Sequence, residues 1–341
     1  MERLFTNIYA WVNSVIVRKA LVGGWDMVNN KTNAAENSLC IMGYEKSESN
    51  IKLIEEAKKA FDSVFFVPIN EISIGLEKDF SIAYRNTDLL KFGAILPRVP
   101  RGYYSYAYQL LSFFPPETFM AIPPITFLLA SERFFLLTIL RKRNVNTLGL
   151  YLARSARAAY GILKKGEFPR VIRVPGEKTG VTVNSNVEAK SVIDALGSLK
   201  QPILIEELVK DMVSLYVAEP EVVVCTEKKT KEKDVVFARG ELKGKKVSTE
   251  VRELALEAAR SIDAKVARID IGLNKTPKVV NVELNPDLIA PGKVTGVNIP
   301  ERVINYIYQS YKIHQERPLL MRFFDDAKSV VRDVLKGKHM L

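Results

Sequence analysis

Hydrophobic and polar positions alternate most regularly along residues 266–298. Ile269 and Ile271 flank Asp270, and further along three apolar residues alternate with three polar ones: Val280, Val282 and Leu284 with Asn281, Glu283 and Asn285. Because successive side chains of a strand point to opposite faces, this pattern predicts two strands, each with an apolar face toward the core and a polar face. Residues 274–277 favour chain reversal, so the two strands are predicted to pair.

The polar face of this predicted hairpin carries the first candidate chemistry. Pairing brings Asp270 close to Glu283, and like charges that face each other across a sheet repel. A cation between them removes the repulsion, and the oxygens of Asp270, Glu283 and Asn285 are of the kind that magnesium prefers. An ordinary hairpin with a solvated polar face explains the same residues, so the residue types alone leave both interpretations open.

The same periodicities predict helices and strands along most of the chain. Strand 39–42, helix 49–61 and strand 63–67 follow one another in a β-α-β order, which indicates a parallel sheet. Further strands are predicted at 94–98, 147–153, 170–174, 181–184 and 203–209, and further helices at 105–114, 131–143, 190–199, 251–262 and 302–311.

Two helices are predicted outside this alternating region. Residues 1–22 carry an apolar stripe at helical spacing, and residues 319–341 form a second helix with a basic end. For the first helix, docking on its own domain, contact with a partner or second subunit, and binding to a membrane surface are the three alternatives, of which docking is favoured. A homo-oligomer formed through these terminal helices is a further expectation.

Composition narrows the class of protein. With 47% hydrophobic and 26% charged residues, the 341-residue chain has the make-up of a soluble globular protein of two or three domains. Two cysteines within apolar runs indicate buried thiols and a reducing, cytoplasmic location. No membrane span is predicted, because prolines and charged residues interrupt the most apolar region, residues 120–140. The net charge is +11, but the basic residues are scattered along the chain and no stacking aromatic residues accompany them. This pattern favours binding of anionic substrates such as ATP over binding of nucleic acid.

A glycine-containing loop follows a basic strand and is a candidate phosphate site. Gly176 and Gly180 let backbone amides approach a phosphate closely, and Lys178 between them adds positive charge. Turns with this glycine spacing are common, so the loop alone is a weak signal.

Three segments together resemble the C-terminal signature of ATP-grasp ligases, and among these the RimK-type glutamate ligases: Asp270, residues 282–286 (VELNP) and residues 293–299 (KVTGVNI). The resemblance implies an α+β ATP-grasp fold. Its parts are an N-terminal extension (1–37), an α/β pre-ATP-grasp domain (38–115), a central lid domain (116–205), a C-terminal catalytic domain (206–312) and a C-terminal extension (313–341). It also implies that Asp270, Glu283 and Asn285 hold two magnesium ions, or manganese, on the phosphates of ATP.

The resemblance further implies a nucleotide site. Arg133 and Arg173 stand where the family has phosphate-binding lysines; arginine keeps the charge but differs in geometry. The loop with Gly176, Lys178 and Gly180 covers the phosphates. The remaining implied contacts are to adenine and ribose: Glu206, Glu207 and Leu208 at the adenine, and Asp211 at the ribose or the substrate.

The chain departs from the RimK pattern on the substrate side. Val213 occupies the place of a family arginine, and a longer basic motif is reduced to residues 237–241, in which Arg239 is the remaining catalytic candidate. Arg98, at the end of a predicted strand, matches a position at the edge of the substrate cleft and is a candidate contact for a substrate carboxylate; a surface arginine at a strand end is the alternative.

The activity that the resemblance implies is ATP-dependent ligation of a carboxylate to an amine through an acyl phosphate. Glutamate or another amino acid would be joined to a small metabolite, a cofactor or a protein terminus. Such chemistry needs charge neutralisation and alignment rather than a protein nucleophile, in agreement with the lack of any Ser/His or Cys/His constellation in the sequence. The alternative is a non-catalytic ATP-grasp module that binds a nucleotide or a partner protein.

Overall fold

A computed structural model describes residues 35–76, 80–163, 167–177, 179–229 and 241–316. The predicted terminal helices at 1–22 and 319–341 lie outside the described residues, as do Lys178 and Arg239. The domain boundaries given above stay predictions.

The first part of the described chain is built on a parallel sheet. Its elements are β1 (Ala35–Gly43), α1 (Glu48–Ala57), β2 (Ser63–Pro68), β3 (Ser73–Leu76), β4 (Phe80–Tyr84), β5 (Thr87–Asp88), β6 (Phe92–Arg98), α2 (Tyr104–Leu111), β7 (Phe119–Met120) and α3 (Pro124–Ala130). The sheet has the order β2-β1-β6-β7 with parallel neighbours, so the prediction from the β-α-β order is confirmed. β3, β4 and β5 form a small antiparallel sheet beside it.

The second part has its own sheet and its own core. Its elements are α4 (Arg133–Lys142), β8 (Leu150–Ala153), α5 (Ala156–Leu163), β9 (Arg170–Arg173), β10 (Val181–Val183), α6 (Asn186–Ser198) and β11 (Ile203–Glu207). The four strands pair in the order β10-β9-β11-β8, all antiparallel. A separate hydrophobic cluster, which includes Ile172, Ile193 and Ile205, packs α5 and α6 against this sheet.

The third part is an antiparallel sheet in the order β14-β13-β12-β15-β16. Its elements are β12 (Met212–Ala218), β13 (Glu221–Lys229), β14 (Glu241–Gly244), α7 (Thr249–Ser261), β15 (Val266–Gly272), β16 (Lys278–Glu283), α8 (Ile289–Thr295) and α9 (Ile299–Glu316). Ile269, Ile271, Val280 and Val282 have no exposed surface, so the apolar face predicted for β15 and β16 lies in the core. Burial of each such side chain contributes about 1.5–3 kcal/mol to hydrophobic stabilisation.

Parallel and antiparallel sheets with segregated helices give the α+β class that was predicted. Several elements were not predicted, among them β12, β13 and α8, and helix ends also differ. α6 begins at Asn186 rather than at residue 190, because the Ser185 side chain accepts a hydrogen bond from the Glu188 amide and caps the helix earlier. α3 was not predicted: the two prolines that were interpreted as a break instead start a helix, with Pro124 in its first turn.

Both cysteines are buried free thiols, as the sequence predicts. Burial raises the pKa of Cys40 to about 12 and that of Cys225 to about 11. Within the described ranges, no helix combines the length and the hydropathy that a membrane crossing requires.

Candidate active site

The polar face of β15 and β16 has a different register from the one expected. Asp270 pairs with Asn281, and Arg268 pairs with Glu283. Because residues two apart on a strand share a face, Asp270 and Glu283 do lie on the same side of the sheet, but as diagonal neighbours. The expectation that they face each other directly is wrong. An irregularity in the pairing between Asp270 and Ile271 accompanies this register, and an arginine stands opposite Glu283.

The carboxylate of Asp270 is buried, with 1% of its surface exposed, and its oxygens are fully engaged. One oxygen accepts from Ser214 Oγ at 2.7 Å and from Arg268 Nε at 2.9 Å. The other accepts from Arg268 NH2 at 3.0 Å and from Asn281 Nδ2 at 3.1 Å. Burial alone would lower the pKa of Arg268, but the charge and the hydrogen bonds of Asp270 outweigh burial and raise it. The result is a bidentate ion pair inside the candidate metal site.

Glu283 is less completely engaged than Asp270. Its Oε1 accepts from Tyr104 Oη at 3.1 Å and from the backbone N–H of Asn285 at 3.2 Å. Its Oε2 lies 3.9 Å from Arg101 NH2, beyond hydrogen-bond distance. Among the described residues, the Asn285 side chain has no hydrogen-bond partner. Glu283 Oε2 and the side-chain oxygen of Asn285, Oδ1, are therefore available to a ligand.

The two candidate phosphate-binding arginines meet at one carboxylate. Glu206 is 1% exposed, and its two oxygens form ion pairs with Arg133 NH1 and, at 3.2 Å, with Arg173 NH2. Burial lowers the pKa of Arg173, the charge of Glu206 opposes that shift, and the charge of Arg133 adds to it. Arg133 Nε also donates to the Val280 carbonyl at 2.9 Å, which ties this triad to β16. The NH2 nitrogen of Arg133 is buried and has no hydrogen-bond partner in the described structure.

The candidate phosphate loop connects the antiparallel strands β9 and β10, as predicted. Gly176 has a φ of +86°, a left-handed conformation that favours glycine. A Cβ added at Gly180 would lie 2.8 Å from Val171 Cγ1, 3.2 Å from Arg173 Cβ and 3.2 Å from the Ile172 carbonyl oxygen. Gly180 therefore sets the close packing of the loop against the strand that carries Arg173.

Replacing Gly180 with alanine is expected to weaken ATP binding about fivefold to tenfold, because the new methyl group displaces the Arg173 strand. Calorimetric titration with ATP measures the change. Gly161→Ala is the matched control: Gly161 lies within α5, its added Cβ meets nothing within 4 Å, and alanine is the better helix former. An affinity within twofold of the unmodified protein for Gly180→Ala would remove the loop from the nucleotide site.

The candidate adenine segment lies at the end of β11. Glu207 Oε2 accepts from Lys278 Nζ at 2.7 Å, and the Glu207 amide donates to the Gly149 carbonyl at 3.1 Å. The Leu208 carbonyl accepts from Asn274 Nδ2 at 3.1 Å. These contacts engage the Glu207 amide, whereas the Leu208 carbonyl oxygen keeps a second lone pair that can accept from an adenine. Asp211 is exposed, at the start of the sheet that carries the candidate metal ligands.

Arg98 is not a surface arginine, so that alternative is wrong. It is 3% exposed, its Nε donates to Asn50 Oδ1 at 3.3 Å, and its NH2 donates to the Pro286 carbonyl at 2.6 Å. Burial lowers its pKa to about 10, against the charge of Glu283, so the guanidinium stays protonated at neutral pH. Its NH1 nitrogen is buried and lacks a partner among the described residues.

Sequence reasoning missed three residues that the structure brings to the site: Arg101, Tyr104 and Arg268. Arg101 NH2 donates to Asn281 Oδ1 at 3.2 Å and to the Val282 carbonyl at 3.0 Å. Arg268 was recognisable in principle, because it stands two positions before Asp270 and so shares its face. Arg101 and Tyr104 follow Arg98 at three-residue spacing, but their distance in sequence from β16 hides the contact.

The oxygen donors of the candidate site fit a divalent metal ion only in part. The described residues contain no group of three or more His, Cys, Asp or Glu side chains suited to a metal. Glu283 and Asn285 fit as oxygen ligands for one magnesium ion, because each has an uncommitted oxygen. Asp270 does not fit as a ligand in this arrangement, because four hydrogen bonds already fill its lone-pair positions.

Comparisons with known proteins agree with this architecture. In sequence, the chain is 26% identical over 245 residues to the ribosomal protein bS6–L-glutamate ligase of Escherichia coli strain K12, covering 67% of this chain and 80% of that enzyme. In structure, it is similar to the ATP-grasp ligase PsnB bound to a minimal precursor, with a TM-score of 0.64 at 14% identity, covering 81% of this chain and 99% of that one.

A second similar structure is the RimK domain protein of Sphaerobacter thermophilus, with a TM-score of 0.59 at 13% identity, covering 79% of this chain and 99% of that one. Likeness at these identities shows the shared ATP-grasp fold. The RimK-like ATP-grasp domain model matches residues 130–307, more than half of the chain. Those residues include α4 with Arg133, the sheet with Arg173 and Glu206, and the strands with Asp270 and Glu283. The chain therefore belongs to the RimK-like ATP-grasp family.

Proposed function

We propose that this protein is an ATP-dependent ligase that joins a carboxylate to an amine and releases ADP and phosphate. The observation that carries the proposal is the set of ion pairs and one hydrogen bond that connects two sheets. Arg173 and Arg133 meet at Glu206, and Arg133 donates to the carbonyl of Val280 in β16, three positions before Glu283. A cationic phosphate site thus adjoins a site of hard oxygen ligands, which is the combination that phosphoryl transfer requires.

The reaction proceeds in two balanced steps. A carboxylate oxygen of the first substrate attacks the γ-phosphorus of ATP, and the bond from that phosphorus to the bridging oxygen of ADP breaks. The amine of the second substrate then attacks the acyl carbon of the resulting acyl phosphate. The carbon–oxygen bond to phosphate breaks, inorganic phosphate leaves with one oxygen of the original carboxylate, and the nitrogen loses a proton.

The residues of this chain supply alignment and positive charge. Arg133, through its unpartnered NH2, and Arg173 hold the β- and γ-phosphates, and the loop that contains Gly176 and Gly180 covers them. Glu283 and Asn285 would hold a magnesium ion, which neutralises phosphate charge when bound. Glu207 and Leu208 line the base end of the site, next to Glu206, whose carboxylate holds the phosphate-side arginines, and Asp211 takes the ribose or the substrate.

Arg98 is the candidate for the substrate carboxylate. Its buried NH1 has no partner among the described residues, and a guanidinium that is shielded from water in this way favours an anion.

We propose glutamate or another amino acid as one substrate, and a small metabolite, a cofactor or a protein terminus as the other. Arg239 remains a catalytic candidate. Manganese in place of magnesium, a cytoplasmic location and an oligomer through the terminal segments also stay predictions.

One observation favours a second candidate, a non-catalytic module that binds a nucleotide or a partner protein. Glu206 pairs with both phosphate-side arginines and leaves one net positive charge, and Arg268 engages Asp270 completely, so most of these charges are compensated without any ligand. A site whose charges are largely compensated in this way needs no phosphoryl transfer to be stable.

An isotope experiment separates the two candidates. The protein is incubated with ATP, magnesium and a panel of amino acids and acceptors, in which the carboxylates carry a heavy oxygen label. A ligase releases ADP together with phosphate that contains the label, and hydroxylamine traps the acyl phosphate as a hydroxamate. Tight ATP binding without ADP release across the panel would instead support the binding module. Release of unlabelled phosphate would contradict the acyl phosphate route.

A further inference from the structure

The guanidinium of Arg268 binds both oxygens of Asp270, the carboxylate that the family resemblance implies is a metal ligand. It meets Asp270 through two parallel contacts, Nε to Oδ1 at 2.9 Å and NH2 to Oδ2 at 3.0 Å. Ser214 and Asn281 each add one further hydrogen bond to the same carboxylate. A carboxylate has about four lone-pair positions, so Asp270 has none left for a metal.

Glu283 provides the contrast within the same strand pair. It faces Arg268 across the sheet, yet no hydrogen bond between the two is present in the described structure, and its Oε2 lies beyond hydrogen-bond distance from Arg101. The neighbouring Asn285 side chain also has no partner there. Of the three implied metal ligands, Glu283 and Asn285 are therefore available to an ion, while Asp270 is occupied by Arg268.

A metal ion at Asp270 would have to displace this cation. The guanidinium does not lose its proton in proteins, so displacement leaves a positive charge next to the incoming divalent ion. Separating a buried ion pair is unfavourable, because it leaves one charge uncompensated. The Arg268 side chain is 27% exposed, so hydration of its guanidinium offsets part of this cost. We estimate that the guanidinium lowers metal affinity at Asp270 by at least about 100-fold.

We propose that Arg268 is a built-in cation that replaces one of the two metal ions, so that the site takes one divalent ion, at Glu283 and Asn285. The inference rests on the proposed function and corrects the two ions that the resemblance implies. The phosphates of ATP would then depend on one exchangeable ion. The fork of Arg268 supplies the counter-charge of Asp270 without depending on the metal concentration.

Metal stoichiometry tests the proposal without any measurement of activity. Manganese is titrated into the protein, with and without ADP, and free manganese is counted by electron paramagnetic resonance. The unmodified protein is expected to bind one ion per chain. Arg268→Ala should bind two, with the affinity for the second raised at least about 100-fold. Adding Asp270→Asn to that variant should return the count to one. Arg302→Ala, which removes an exposed arginine 3.8 Å from Glu221, should stay at one.

Two results would overturn the inference: two ions bound by the unmodified protein, or one ion still bound by Arg268→Ala. Arg268→Met keeps the aliphatic packing and replaces the alanine variant if that one fails to fold. Nucleotide affinity is measured on the same samples in the absence of metal. If no nucleotide binds but Arg268→Ala gains an Asp270-dependent ion, the proposed function fails while the role of Arg268 stands.

Discussion

Replacing Glu283 with glutamine is expected to lower ADP release by at least about 1,000-fold, because it removes the carboxylate oxygen, Oε2, that is free to hold a metal. Glutamine has the same shape and still accepts the Tyr104 hydroxyl through its side-chain oxygen, so the packing of β16 is preserved. A coupled assay of ADP release under saturating ATP and magnesium measures the loss. Metal-free ATP affinity, measured separately, should change little.

The matched control is Glu221→Gln, which removes an exposed carboxylate that lies 3.8 Å from Arg302 at the start of β13. That variant should keep full activity, because exposed ion pairs of this kind contribute at most about 1 kcal/mol and lie outside the site. If Glu283→Gln retains more than about a tenth of the activity, Glu283 does not hold a metal that the reaction needs.

The sequence was sufficient to predict that β15 and β16 are paired strands, because their apolar and polar residues alternate strictly and a turn separates them. Alternation placed Asp270 and Glu283 on one face, and the structure agrees. The register was not predictable, because it depends on an irregularity between Asp270 and Ile271 that no composition signal marks. If the pairing of Ile271 with Val279 continued without a shift, Val280 would lie opposite Asp270; the shift instead places Asn281 opposite Asp270 and Arg268 opposite Glu283.

Long-range contacts explain why other site residues were misjudged. Arg98 was placed correctly at the end of a strand, but its burial arises from the carbonyl of Pro286, 188 residues away in sequence. Glu206 was expected at the adenine, and its ion pairs with Arg133 and Arg173 were not predicted. β11 is buried along almost its whole length, so alternation does not reveal which residues face the helices and which face the cleft. The direction of such side chains follows from tertiary packing.

Replacing Glu206 with glutamine is expected to lower the free energy of unfolding by about 3–5 kcal/mol. The substitution leaves Arg133 and Arg173, both largely buried, close to each other without a counter-charge. The existing effects of burial and of Arg133, which lower the pKa of Arg173, would then act without the opposing charge of Glu206. Chemical denaturation followed by circular dichroism measures the loss. Glu219→Gln, which removes an exposed ion pair with Arg260 at 3.1 Å, is the control and should cost at most about 1 kcal/mol.

The same variant reports whether these arginines bind phosphate. In Glu206→Gln, the triphosphate of ATP would supply the anion that the two guanidinium groups lack, so ATP binding would relieve their repulsion. ATP without metal should therefore raise the melting temperature of this variant by more than it raises that of the unmodified protein. Inorganic sulfate should act in the same direction but more weakly, because it offers one anionic group in place of three. Equal stabilisation of both proteins by ATP would mean that Arg133 and Arg173 form a structural ion pair with Glu206 and that the phosphates bind elsewhere.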